Sequence, residues 1–95
     1  MTIEPISPSA RPKISSRARL QTDKITGKPV LLYPEGALLL NPTAHSVALL
    51  CNGTETMESI VSNLAKRYDS SSGEIVSQVE NFLNRLRAKN LLEFG

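Results

Sequence analysis

The first half of the chain contains three short runs of apolar residues that predict β-strands. Residues 17–21 alternate, with Ala18 and Leu20 facing one way and polar residues facing the other, which is typical of a half-buried strand. The runs at 30–33 and 37–40 are apolar on both faces. Because short turns separate the runs, we predict a three-stranded antiparallel meander.

The second half of the chain shows the period of amphipathic helices, with apolar residues recurring at i, i+3, i+4 and i+7. Three such segments begin at residues that commonly cap helix N-termini: Asn41, Thr56 and Ser71. We predict helices that end near residues 52, 68 and 90. The order of elements predicts an α+β domain in which the three-stranded meander precedes three α-helices.

Residues 1–16 differ in character from the rest of the chain. They contain three prolines and four serines without a periodic apolar pattern, a composition that disfavours regular structure. We therefore predict a flexible N-terminal tail over residues 1–16 and a single folded domain over residues 17–95. These first residues also lack the apolar core of a signal peptide, and we expect a cytoplasmic protein without a membrane partner.

The third predicted strand, Ala37–Leu40, combines an edge position with an absence of charge. An unguarded apolar edge can accept an extended peptide as an added strand. Alternatively, a helix of the same chain or a second copy of it in a homodimer covers this edge. The helices of the chain can cover only one face of so small a sheet, so the second apolar face needs the N-terminal tail, a second copy or a partner.

Candidate catalytic or metal-binding groups are scarce in this sequence. The single cysteine, Cys51, and the single histidine, His45, lie six residues apart on the first predicted helix, about 240° apart around its axis. They cannot form a nucleophile and base pair there, and a zinc site needs about four such ligands. Cys51 falls on the apolar stripe and is interpreted as a core residue. We predict a binding protein without enzyme activity, metal or cofactor.

A nucleic-acid-binding function is the alternative that the sequence leaves open. Residues 11–28 carry six basic residues and one acidic residue, which can attract nucleic acid or an acidic partner, or simply keep the adjacent strand soluble. The second and third helices have helix-turn-helix spacing, as in a small winged-helix protein. However, Glu74 and Glu80 on the third helix would repel phosphates, so we expect no nucleic-acid partner.

Residues 11–93 resemble the pyrroloquinoline quinone (PQQ) biosynthesis protein D family. The distinctive part is the run from Leu31 to Gly36, which reads LLYPEG, followed by Leu40-Asn41 and then by Cys51-Asn52-Gly53. The resemblance implies a winged-helix-like fold and a non-catalytic peptide chaperone, a peptide-recognition element of the modified-peptide pathways. Such a protein binds the ribosomal precursor peptide of PQQ and presents it to a radical S-adenosylmethionine enzyme that cross-links a Glu and a Tyr of the peptide.

The resemblance also implies where the peptide binds. The precursor is expected as an added strand in the groove between the third strand and the third helix. Carried over by position, the peptide-binding residues are Ala37, Leu38, Leu39, Leu40, Val76, Val79 and Leu83.

Overall fold

The computed structural model describes residues 6–69 and 71–95 and confirms the predicted α+β architecture. A three-stranded meander precedes three helices, and two further short strands lie near the ends of the chain. The elements in order are β1 (Pro12–Ile14), β2 (Arg19–Thr22), β3 (Pro29–Tyr33), β4 (Gly36–Leu39), α1 (Pro42–Leu50), α2 (Met57–Tyr68), α3 (Ser72–Ala88) and β5 (Leu92–Phe94).

The meander has the order β2-β3-β4, with both pairs antiparallel. Its register brings Leu20, Leu31 and Leu38 into one row across the sheet. Leu31 and Leu38 are buried, so this row marks the face that packs on the helices. Neighbouring residues on a strand point to the opposite face, where Leu32 and Leu39 remain 36% and 68% exposed. The described part of the chain therefore leaves this second face partly open.

Each helix begins where the capping residues predict. The side chains of Asn41, Thr56 and Ser71 accept hydrogen bonds from backbone N–H groups three residues further on, which satisfies donors that a helix leaves free at its start. Helix α3 ends at Ala88, and Asn90, two residues later, takes the predicted left-handed conformation with φ 58°. There the N–H of Leu91 donates to the carbonyl of Leu86 at 2.9 Å and closes the helix.

One aliphatic core joins the sheet and the three helices. Its members are contributed by β3, β4 and all three helices, and Val47, Ile60, Leu64, Val79 and Leu83 have no exposed surface. Burial of such side chains is the main source of stability in a domain of this size.

The helices that surround the core are all short or charged on their outer faces, and none in the described residues could serve as a membrane-crossing segment.

Over residues 6–16 the structure shows a strand and buried side chains where the sequence predicts a flexible tail. Residues 1–5 lie outside the described part. Strand β1 pairs antiparallel with β5, with Lys13 opposite Glu93. Ile6, Pro12 and Ser15 are buried. Proline does not prevent this pairing because Pro12 is the first residue of its strand, a position where a missing N–H is tolerated.

The segment before β1 also completes the start of α2. The carbonyl of Ala10 accepts a hydrogen bond from Met57 N–H at 2.8 Å, and that of Pro8 accepts one from Glu58 N–H at 3.0 Å. These donors belong to the first turn of α2, where no intrahelical partner exists. Ile6 N–H donates to a carboxylate oxygen of Glu80 on α3 at 3.0 Å. Residues 6–14 therefore form part of the folded domain.

Candidate functional site

The outer edge of β4 carries main-chain groups that the meander does not use. The N–H of Leu40 donates to the carbonyl of Pro29 at 3.1 Å, which shows that these two residues form a hydrogen-bonded pair of the β3–β4 ladder. Since hydrogen-bonded and non-hydrogen-bonded pairs alternate in an antiparallel ladder, Gly36, Leu38 and Leu40 bond inward to β3. The N–H and C=O groups of Ala37 and Leu39 consequently point outward, away from β3.

The opposite edge of the sheet, β2, shows the same alternation of inward- and outward-pointing main-chain groups, but a charged side chain protects it. Asp23 N–H donates to the carbonyl of Lys28 at 2.8 Å, so the outward-pointing main-chain groups belong to Leu20 and Thr22. Arg19 is exposed on this strand, and charged side chains on an edge disfavour pairing with another chain. The uncharged β4 edge is thus the more receptive of the two.

Residues of α3 line two depressions that adjoin, in the chain, the two ends of β4. After β4, a depression of about 330 Å³ lies between the start of α1 and α3. Ala44 and Phe82 form its apolar lining. Its polar border consists of Asn41, Thr43, Gln78, Asn81 and Arg85. Before β4, one of about 390 Å³ lies between the β3–β4 turn and the end of α3, bordered by Arg17, Tyr33, Glu35, Ala88, Lys89 and Asn90. We call these two depressions, together with the β4 edge whose ends adjoin Glu35 and Asn41 in the chain, the β4–α3 groove.

The predicted strand residues divide between two faces of the sheet. Leu38 and Leu40 are buried in the same core cluster as Val79 and Leu83 of α3. Ala37 and Leu39 are exposed, with their side chains on the opposite face. Only the main chain of this strand and the side chains of Ala37 and Leu39 can therefore meet a partner without rearrangement of the core.

The three predicted helix residues do not lie together at the groove. Val79 and Leu83 have no exposed surface, so in this conformation they support the groove from beneath. Val76 is half-buried and lines a separate apolar depression of about 600 Å³, formed with Ile6, Pro8 and residues of α2. Residues two apart on a helix do not share a face, which is why Val76 and the groove residue Gln78 lie on different sides of α3.

The sequence interpretation missed three groove residues, Gln78, Asn81 and Arg85. All three are exposed and border the first depression. Their spacing of i, i+3 and i+7 places them on one side of α3. This regular polar spacing, next to the apolar stripe of the same helix, is the signal that could have identified them.

Two charged contacts close the turn end of the groove. Arg17 forms an ion pair with both carboxylate oxygens of Glu35 at 3.3 Å. The ammonium of Lys89 lies 5.7 Å from the centre of the Tyr33 ring, within the range of a cation–π contact. The Lys89 contact connects the end of α3 to the last residue of β3, and the Arg17 ion pair connects the segment before β2 to the β3–β4 turn.

Cys51 is buried, as the apolar pattern predicted, and acts as the C-cap of α1. Burial raises the pKa of its thiol from 9.0 to about 12, because desolvation disfavours the thiolate. A thiol in this state is a poor nucleophile and a poor metal ligand at neutral pH. Among residues 6–69 and 71–95, no three His, Cys, Asp or Glu side chains are grouped as metal ligands would be.

Comparison with known proteins gives a consistent result over most of the chain. Residues 29–92 match the family described as coenzyme PQQ synthesis protein D (PqqD). A relative from Methylococcus capsulatus, named PqqA binding protein, is 35% identical over 81 residues, which cover 83% of this chain and 87% of the relative. A Rhizobium meliloti protein with the same name is 30% identical over 88 residues, 93% of this chain and 90% of that protein.

Two solved structures are similar in both fold and sequence. One is the solution structure of the PqqD part of Methylobacterium extorquens PqqCD, described as a functional, stand-alone recognition element for ribosomally synthesised and post-translationally modified peptides. It has a TM-score of 0.77 and 32% identity, with 92% of this chain and 93% of that chain covered. The other is the crystal structure of PqqD from Xanthomonas campestris, with a TM-score of 0.59, 33% identity and coverage of 93% and 98%.

Proposed function

Because this chain belongs to the PqqD family, we propose that it is a non-catalytic chaperone in PQQ biosynthesis that binds the ribosomal precursor peptide, PqqA. The names of its relatives and the description of the Methylobacterium extorquens domain as a peptide-recognition element support this role. The observation in the fold that carries the proposal is the β4 edge, where Ala37 and Leu39 direct unused main-chain groups outward. A peptide in extended conformation satisfies these groups by adding a fourth strand to the sheet.

The seven residues assigned to peptide binding then have different tasks. Ala37 and Leu39 pair with the peptide through their main chain, and the exposed side chain of Leu39 packs on it. Leu38, Leu40, Val79 and Leu83 are buried and hold the strand and helix at a fixed spacing. Val76 contributes indirectly, through the packing of α3 on α2 and residues 6–8. The polar side chains that border the groove determine which peptides bind.

The further partner is the radical S-adenosylmethionine enzyme that modifies the peptide. The added strand leaves the part of the second sheet face around Leu32 accessible to a large partner. A homodimer formed through the β4 edge would compete with the peptide, since both would use the same main-chain groups. We place this activity in the cytoplasm, where the ribosomal precursor is made.

Titration of labelled precursor peptide with the domain tests the proposal. We expect saturable 1:1 binding, followed by fluorescence anisotropy, that is unchanged in excess chelator because main-chain pairing with an added strand requires no metal. Duplex DNA serves as the control ligand and should bind only weakly, since the exposed face of α3 carries Glu74. Loss of peptide binding in chelator would contradict the metal-free mechanism, and absence of binding in any buffer would contradict the proposed function.

A further inference from the structure

The side of α3 that faces the groove has an ordered sequence of charges. From the start of the helix towards its end, steps of three or four residues bring Glu74, Gln78, Asn81, Arg85 and Lys89 onto one side. All five side chains are exposed. The side therefore changes from acidic through neutral to basic along its length.

The basic part of this series lies within the groove itself. Arg85 borders the depression beyond the end of β4, and Lys89 borders the one at the β3–β4 turn. Of the other charged side chains at these depressions, Arg17 and Glu35 pair with each other at 3.3 Å and largely cancel. Each depression is therefore left with one uncancelled positive charge from α3, Arg85 at one and Lys89 at the other.

Arg85 is the group best placed to meet a ligand. Among the described residues it forms no ion pair, whereas Arg17 is held by Glu35 and Lys89 lies over the Tyr33 ring. Its guanidinium presents a fork of donors that fits a carboxylate. In the same depression, Gln78 and Asn81 offer neutral donors and acceptors, so no acidic lining residue competes for the Arg85 side chain.

The helix dipole alone does not account for this arrangement. Basic residues in the last turns of a helix are favourable on any side of it, and Arg87 shows this by lying 5.8 Å from the Phe94 ring, away from the groove. The dipole explains why basic rather than acidic residues stand at positions 85 and 89. It does not explain why both border depressions at the ends of β4.

We propose that Arg85 binds an acidic side chain of the precursor peptide and thereby sets the position and direction of the added strand along β4. The proposal rests on the proposed peptide-binding function. Main-chain pairing alone is compatible with several registers of a peptide strand. A carboxylate held at one end of the groove selects one of them.

The Arg85→Gln variant tests this assignment, with Arg67→Gln on α2 as the matched control because Arg67 is equally exposed but borders no part of the groove. We expect Arg85→Gln to weaken binding of the precursor peptide about tenfold at low salt, and less at high salt, as for a charge pair at an interface. Arg67→Gln should bind like the unmodified domain. Circular dichroism confirms that both variants are folded.

A panel of precursor peptides, in which each Asp or Glu is changed singly to Asn or Gln, identifies the partner of Arg85. One of these peptides should bind the unmodified domain about tenfold more weakly and lose no further affinity with Arg85→Gln. If the unmodified domain binds the peptide and Arg85→Gln binds equally well at low salt, the assignment is wrong although the proposed function stands. If the unmodified domain does not bind the peptide, both are wrong.

Discussion

Replacing Leu83 by alanine is expected to lower the free energy of unfolding by about 2–5 kcal/mol. Leu83 has no exposed surface and belongs to the core cluster that joins α3 to β4. Its truncation removes apolar contacts and leaves a cavity that the surrounding helices can fill only partly. Urea denaturation followed by circular dichroism measures the change, and peptide binding should fall only as far as the folded fraction falls.

The matched control is Leu39→Ala, which removes the same side chain from an exposed position. Leu39 is 68% exposed, so this variant should change the unfolding free energy by no more than about 0.5 kcal/mol. It should instead weaken peptide binding. A Leu83→Ala variant that keeps full stability but loses binding would mean that Leu83 contacts the peptide directly.

Proline at Leu39 is expected to weaken peptide binding at least about tenfold while the domain remains folded, because it removes one outward N–H and crowds the edge. The β3–β4 ladder does not use this N–H. Proline is tolerated on edge strands at positions whose N–H faces solvent. Isothermal titration calorimetry with the precursor peptide, alongside circular dichroism, separates loss of binding from loss of fold.

Two further proline variants make this test specific. Thr22→Pro removes an outward N–H from the opposite edge strand β2, and it should leave peptide binding unchanged. Leu38→Pro removes an inward N–H that bonds to β3, and it should unfold the domain. If Thr22→Pro weakens binding as much as Leu39→Pro, the peptide is not paired specifically with β4.

The sequence predicts the helices and the meander well because their signals are local. Asn41, Thr56 and Ser71 each satisfy N–H groups three residues away, and this chemistry is visible in the sequence. The first helix ends at Leu50, slightly earlier than predicted, because the carbonyl of Cys51 accepts the N–H of Ile14. That hydrogen bond joins distant parts of the chain and has no local signal.

The β1–β5 pair could not be predicted for the same reason. Each strand has three residues, too few to show an alternating pattern, and Pro12 and Phe94 meet only because the ends of the chain are brought together by the core. The composition of residues 1–16 indicates flexibility when it is considered alone. In the fold, the carbonyls of Pro8 and Ala10 are acceptors for the start of α2.

The sequence predicts peptide binding at the edge strand, and this assignment stays a prediction, whereas the burial of the individual residues is seen in the structure. The last place in the meander identifies Ala37–Leu40 as an edge strand, and the absence of charge leaves that edge open to pairing. The apolar residues Val79 and Leu83 were assigned by position to the groove, yet they are buried under it. Apolar periodicity shows which side of a helix is buried, and the groove border is formed by the adjacent polar side.

Hydrogen exchange of individual amides, measured by NMR with and without the precursor peptide, is the most direct test of strand addition at β4. In the free domain, the N–H groups of Ala37 and Leu39 should exchange quickly because the ladder does not bond them. The peptide should slow both by at least about tenfold and leave Thr22 unchanged. Bound peptide that leaves Ala37 and Leu39 exchanging as in the free domain would contradict strand addition at this edge.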